Sequence, residues 1–291
     1  MNGAARTYGA ITITNALPTG IGCAAGIELP VEVGVTLATD RTKGPPTLEI
    51  PSDCHTPLVE EALRLALARY FPDHGAVARL TLRSEIPLAR GLKSSSAVST
   101  AILLAVARAT GRDPPPLEIG RHSADVARRV GVSATGALDD ALAGLEPGFV
   151  VTDNVRGEVL RRTDIDPGWG VALYIPSQPH PPSPNFASAF SASRPSGEVA
   201  ARAALDGDWT KAMRLNTEIV ERTMGYAYRE IRDRLGAHGA IASGVSGLGP
   251  TLATIAPTAR LPDLLRELPS DGAQKLIVGF TRGSLSNGGR S

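Results

Sequence analysis

The stretch PLARGLKSSSA (residues 87–97) sets a glycine, a lysine and three consecutive serines directly ahead of an apolar run that continues to Ala109. Gly91 lets the backbone approach a ligand closely, and the N–H groups of residues 92–97 are those that a helix start leaves unpaired. Those donors and the positive end of the helix dipole suit a phosphate. Lys93 adds a cation, and the hydroxyls of Ser94, Ser95 and Ser96 can bond phosphate oxygens or ligate Mg²⁺, a hard ion that prefers oxygen. The pattern is not GxxxxGK[ST], because Leu92 separates Gly91 from Lys93, and it is not SxxK. A serine cluster that merely caps a core helix is the plainer alternative, although one serine would suffice for it.

Other segments carry chemistry of their own. TGALDDA (residues 135–141) holds Asp139 and Asp140. Adjacent side chains differ by about 100° on a helix and point apart in a strand, so the pair is not expected to face one substrate together. A solvated turn is the plainer reading of both. SGVSGLGPTL (residues 243–252) crowds Gly244, Gly247 and Gly249 into a turn between strand-like segments. LPTGIGCAAG (residues 17–26) satisfies GxGxx[G/A] through Gly20, Gly22 and Ala25, with Asp40 at a distance suited to a ribose contact. The helix that a dinucleotide site requires is missing, since Pro30, Gly34 and a β-branched run follow. A strand-to-strand loop is expected there instead, with a loop turned toward a substrate as its refinement.

Composition removes several function classes. Lys and Arg number 30 against 29 Asp and Glu, a net charge of +1, which lacks the basic face that phosphate-backbone binding needs. Aromatics make up only 4%, too few for a base-stacking platform. Cys23 and Cys54 form no CxxC pattern, so neither a disulfide framework nor a zinc site is expected. The five histidines are scattered, and Met213 and Met224 read as core. MNGAARTYGA has no basic region followed by an apolar run, and no run is long enough to span a membrane. A soluble, cytoplasmic protein is the expectation, with no nucleic-acid or membrane partner; nothing in the sequence sets the oligomeric state.

The elements that must position these residues follow from periodicity. Strands are expected over residues 8–15, 31–39 and 76–86, and helices over 57–71, after Thr56 as N-cap, and over 97–109 and 117–130. Residues 131–145 read as a glycine-punctuated turn region. Strands return at 148–154, 157–163 and 169–176. Residues 176–195 are rich in Pro and Ser and read as a linker or mobile loop. Helices over 198–235 are then followed by strand, strand, helix, strand, an order that suits an α+β layer with an antiparallel sheet.

Taken together, three motifs resemble those of the GHMP small-molecule kinases. PLARGLKSSSA resembles their Pro-x-x-x-Gly-Leu-x-Ser-Ser-[Ser/Ala] loop, SGVSGLGPT their closing Ser-Gly-x-Gly-Pro motif, and TGALDDA falls where several members keep a catalytic Asp. Order and spacing agree along the whole chain. Within that superfamily the chain is most similar to the archaeal-type shikimate kinases, through GLKSSSA with Lys93, TGALDDA, VTDN (residues 151–154) and NALPTGIGCAAGIEL. Arg90, preceded by Ala89, departs from the small residues expected there.

The resemblance implies a two-lobed α+β fold, with an N-terminal domain like ribosomal protein S5 domain 2 (residues 1–180) and a ferredoxin-like C-terminal domain (residues 181–291). It implies ATP-dependent phosphorylation of the shikimate 3-hydroxyl, with Mg²⁺. Nucleotide contacts are implied for Pro87, Leu88, Ala89, Arg90, Gly91, Leu92, Lys93, Ser94, Ser95, Ser96 and Ala97, and for Gly247 and Gly249. Ser95 is the implied Mg²⁺ ligand, Glu118 and Asp125 being the acids weighed for a second. Lys93 counters developing charge, Asp139 is the general base, and Asp140 contacts the substrate. An arginine should clamp the acceptor carboxylate, and Arg90, Arg162, Arg194 and Arg282 are the candidates. The competing expectations are another GHMP kinase, such as a homoserine kinase, and a catalytically silent ATP- or metabolite-binding regulator.

Overall fold

The structure, a computed structural model, describes residues 1–39, 44–72, 75–177 and 186–282. It opens with two long strands, β1 (Asn2–Thr14) and β2 (Ile21–Thr39), paired antiparallel along their length. One edge of β2 is covered by β1. The other is shared by β4 (Ala76–Ser84) and β5 (Phe149–Asp153), which pair with its second and first halves respectively. Short β3 (Thr47–Glu49) and β6 (Glu158–Thr163) close the edges of this six-stranded sheet. Pro30 cannot donate to a ladder, and the β1–β2 register shifts beside it, between Tyr8 and Gly9.

Four helices serve this sheet: α1 (Pro57–Tyr70), α2 (Ser94–Ala109), α3 (Pro116–Arg129) and α4 (Leu138–Ala143). Thr56 caps α1, its hydroxyl accepting the N–H of Val59 at 3.3 Å. Helix α2 is buried nearly all round, which fits its run of small and aliphatic residues. It lies against β1 and β2 with α1 and α3 on its flanks. Each of its buried Ile and Leu side chains contributes about 1.5–3 kcal/mol relative to exposure, so its position is firmly held.

The second sheet is antiparallel, in the order β10 (Gln274–Gly279), β7 (Trp169–Ile175), β9 (Leu252–Pro257), β8 (Ala242–Val245). Around it stand α5 (Phe186–Ala192), α6 (Arg194–Asp206), α7 (Trp209–Met224), α8 (Arg229–Ala237) and α9 (Leu261–Glu267). Met213 and Met224 are buried, as expected. The α+β class and the closing strand–strand–helix–strand order both hold.

Several expectations are corrected. Residues 131–145 are not all turn, since α4 lies within them. Residues 186–195 of the Pro/Ser-rich stretch are largely helical, and Phe190 of α5 is buried against Ile219, Val220 and Met224. Only the first part of LPTGIGCAAG is a turn; from Ile21 onward it is β2. Asp40 and the domain division at residues 180/181 lie outside the described residues. Strand β7, N-terminal to that division, pairs with β9 and β10 of the C-terminal half.

Candidate functional site

The loop that precedes α2 enters the left-handed backbone region at three residues. Ala89, Gly91 and Lys93 have φ of 55°, 79° and 67°. The last places Lys93 at the N-cap of α2, and no side chain caps that helix start. The amides of the first turn therefore face outward beside three hydroxyls, with Ser94 half-buried, Ser95 exposed and Ser96 buried. Ala97 has already entered the helix, donating its N–H to Lys93 O at 3.1 Å.

The second glycine-rich loop, between β8 and β9, packs on the first. Ser246 Oγ donates to Gly91 O at 2.7 Å and accepts the N–H of Thr12 at 3.2 Å, while Gly247 N–H donates to Thr12 Oγ1 at 2.9 Å. A Cβ on Gly91 would run into the Ser246 carbonyl, so only glycine gives both the positive φ and the close approach. Asn15, at the end of β1, donates to Gly247 O at 3.4 Å.

Helix α4 brings the two aspartates to the same place. Gly136 (φ 85°) and Ala137 (φ 54°) turn the chain sharply, and Asp139 and Asp140 fall in the first turn that follows. Asp139, 4% exposed, lies over the backbone of Gly22, where a Cβ would strike its carboxylate. Its Oδ1 accepts from Asn154 Nδ2 at 2.8 Å. Asp140 Oδ2 is 3.1 Å from Lys93 Nζ, the side chains being 9% and 14% exposed, and its buried Oδ1 has no hydrogen-bond partner among the described residues. Burial pushes the Asp139 carboxyl up to about 7, the Asp140 charge adds to that rise, and Lys93 and Asn154 oppose it. Asp140 is also raised by burial, with Lys93 opposing.

These pieces line one cavity of about 650 Å³, of a size suited to a small-molecule site. Of residues 87–97 all but Leu88 and Ala97 line it, and Gly247, Gly249, Asp139 and Asp140 do so as well. Leu88 is exposed to solvent and Ala97 is buried in the core. The expectation that neighbouring aspartates would not share a face is corrected: both border this cavity, and both are buried rather than solvated.

Of the four arginines weighed for a carboxylate, only Arg90 lines the cavity, and it also donates to Ser177 O at 2.8 Å. Arg162 pairs with Glu146 at 2.6 Å, Arg194 with Glu198 at 3.0 Å, and Arg282 donates to Pro167 O at 3.4 Å. Glu118 accepts from the Tyr70 hydroxyl and Asp125 pairs with Arg128, neither bordering the cavity.

The three non-glycine residues with left-handed backbone among those described, Ala89, Lys93 and Ala137, all line this cavity. Such residues cost about 1–2 kcal/mol each and concentrate at functional sites. Sequence reasoning assigned no task to Gly22 or Asn154. Gly22 fell in a stretch expected to be a strand-to-strand loop, whereas it lies in β2, and Asn154 stood in a matched motif without a role.

A family profile described as the GHMP kinases N terminal domain matches residues 57–146. The shikimate kinase of Methanosarcina acetivorans is 33% identical over 285 residues, covering 95% of this chain and 92% of its own length. That of Pyrococcus furiosus is 33% identical over 255 residues, covering 88% and 92%. In solved structures, the Methanococcus jannaschii mevalonate kinase matches with a TM-score of 0.67 at 14% identity, covering 97% of this chain and 99% of that one. The structural match establishes the shared fold; the sequence matches, sustained over nearly the full length of both partners, place the chain more narrowly, and it belongs to the archaeal-type shikimate kinase family of GHMP kinases.

Proposed function

We propose that the chain transfers the γ-phosphoryl group of ATP to the 3-hydroxyl of shikimate. The observation that carries this reading is the meeting, in one cavity, of an uncapped helix start and a buried Asp139–Asp140–Lys93 cluster, in a chain of this family. The open amides of residues 94–96 and the hydroxyls of Ser94 and Ser96 receive phosphate oxygens, and the loop at Gly247 and Gly249 walls the same space. The acceptor hydroxyl attacks the γ-phosphorus in line, the bond to the β-phosphate oxygen breaks, and ADP leaves. The hydroxyl proton passes to Asp139. A carboxyl poised near 7 is suited to that task, being both available as base and basic enough to take the proton. Lys93 lies at the head of the helix beside both carboxylates and offsets the negative charge that phosphoryl transfer concentrates there. Asp140, at the cavity wall, offers a carboxylate to a substrate hydroxyl, and Arg90 offers the acceptor carboxylate a cation.

The donors present also fit Mg²⁺. That ion keeps several waters and binds through few protein oxygens plus substrate phosphates, and Ser95 places an exposed hydroxyl at the cavity wall beside the phosphate-facing amides. Ser95 would hold it, and the charge it supplies would neutralise the β- and γ-phosphates.

The test is a coupled ADP-release assay with Mg·ATP against shikimate, homoserine, mevalonate and no acceptor, with Asp139→Asn alongside. Turnover with shikimate alone, reduced roughly 10²–10⁴-fold in the variant, is expected. Turnover with another acceptor instead would remove the substrate assignment. Bound ATP with no turnover on any acceptor would favour a binding protein.

A further inference from the structure

Behind Asp139 stands a buried polar relay that the reaction described above leaves unused. Asn154 is wholly buried at the end of β5, and every polar atom of its side chain is engaged. Its Nδ2 donates to Asp139 Oδ1 at 2.8 Å and to Thr135 Oγ1 at 3.3 Å, and its Oδ1 accepts from Thr152 Oγ1 at 2.6 Å. Because an ionised carboxylate can only accept, the amide is held with its nitrogen toward Asp139 and its oxygen toward the Thr152 hydroxyl, which donates to it. Arg128 of α3 then ties the surrounding backbone. Its Nη2 donates to Asn154 O at 2.9 Å and to Thr135 O at 3.1 Å, and its guanidinium lies over Gly136, where a Cβ would strike it. The turn that launches α4 and the residue that holds α4's first carboxylate are thus fastened by one arginine.

We propose that Asn154 is a positioning residue for phosphoryl transfer, its amide fixing the orientation of the Asp139 carboxylate that takes the acceptor's proton, with Arg128 as the outer clamp. This rests on the assignment of Asp139 as base. A carboxylate in a burial this deep, beside a second carboxylate, would otherwise turn or take a permanent proton. The groups that face it are Lys93 from the loop before α2, Asp140 from its own helix, Cys23 from β2, and Arg128 from behind Asn154. Beside them Asn154 donates a side-chain hydrogen bond to the Asp139 carboxylate, and a donor to the charged form lowers its proton affinity. Losing that donor therefore raises it.

The experiment records pH profiles of kcat and kcat/KM for the parent protein, Asn154→Leu, Thr152→Val and Asp139→Asn. Asn154→Leu keeps the branched shape and heavy-atom count of the side chain and removes the donor. Its acidic limb is expected to move up by about one pH unit, with kcat at pH 7 lower by roughly 10- to 100-fold and KM for ATP within about threefold. A purely structural role would lower activity without moving the limb. Thr152→Val, which removes the hydroxyl that orients the amide, should shift the limb the same way by less, and it carries the test if Asn154→Leu does not fold. An inactive Asp139→Asn together with an unmoved limb in Asn154→Leu, or in Thr152→Val where that is the folded variant, overturns the positioning role alone. Asp139→Asn retaining activity within tenfold overturns the base assignment and this role with it.

Discussion

Replacing Lys93 by Met isolates the contribution of a cation that faces both buried aspartates. At the observed 3.1 Å, two unit charges attract by about 5 kcal/mol with an effective dielectric of 20. Desolvating the two ions costs several kcal/mol each, so the intact pair adds little net stability over an apolar pair. Removing one partner is different, because Asp140 is left buried and charged beside Asp139. Lys93→Met should destabilise the fold by about 3–5 kcal/mol near pH 8 and lower Tm by roughly 10 °C. The penalty should also depend on pH with a definite sign. Burial raises the Asp140 carboxyl, and without Lys93 it rises further. A carboxyl raised in the fold favours the folded state at low pH, and that advantage is lost as pH climbs from the unfolded value of about 4 toward the folded one. Thermal unfolding should accordingly show Lys93→Met approaching the parent protein at pH 5 and diverging at pH 8. The double variant Lys93→Met/Asp140→Leu should recover most of the stability and none of the activity. An Lys93→Met protein that melts with the parent at pH 8, or whose deficit is the same at pH 5, would refute the reasoning.

Two further outcomes follow from the same cluster. The kcat/KM profile of the parent protein should show an acidic limb near 7, set by Asp139; Asp140→Asn, which removes the neighbouring like charge, should move that limb downward in a pH-rate measurement. Gly22→Ala sets a methyl where the Asp139 carboxylate now lies. Overpacking there should cost about 1–3 kcal/mol in unfolding experiments and, by displacing the base, lower kcat roughly 10²-fold, and kcat within threefold of the parent would speak against the placement of Asp139.

What the sequence revealed followed the reach of local rules. Helix α1 was legible from Thr56, Pro57 and its apolar spacing, and α2 from an unbroken small-aliphatic run, because cap and periodicity act within a few residues. Helix α4 escaped notice. It is only six residues long, and its glycines and paired aspartates have the composition of a turn, although Leu138, Ala141 and Leu142 keep helical spacing. The burial of Asp139 and Asp140 was equally hidden, since it depends on β2, which is remote in sequence. Gly22 was expected in a strand-to-strand loop, but it lies in β2 and makes room for a carboxylate from α4. The contact between Gly91 and Ser246 joins loops from the two ends of the chain, and no periodicity reports such a pairing.

The left-handed backbone at Ala89, Lys93 and Ala137 bears on how this enzyme could be altered in the laboratory. A search for stabilising substitutions would be drawn to all three, because glycine adopts those angles without the steric cost. At Ala89 and Ala137 the exchange removes only a methyl group. At Lys93 the same exchange would relax the backbone and delete the ammonium that answers Asp140. The uncompensated Asp140 costs about 3–5 kcal/mol there against about 1–2 kcal/mol of relaxed backbone, so selection for melting temperature alone would admit glycine at Ala89 and Ala137 and retain Lys93.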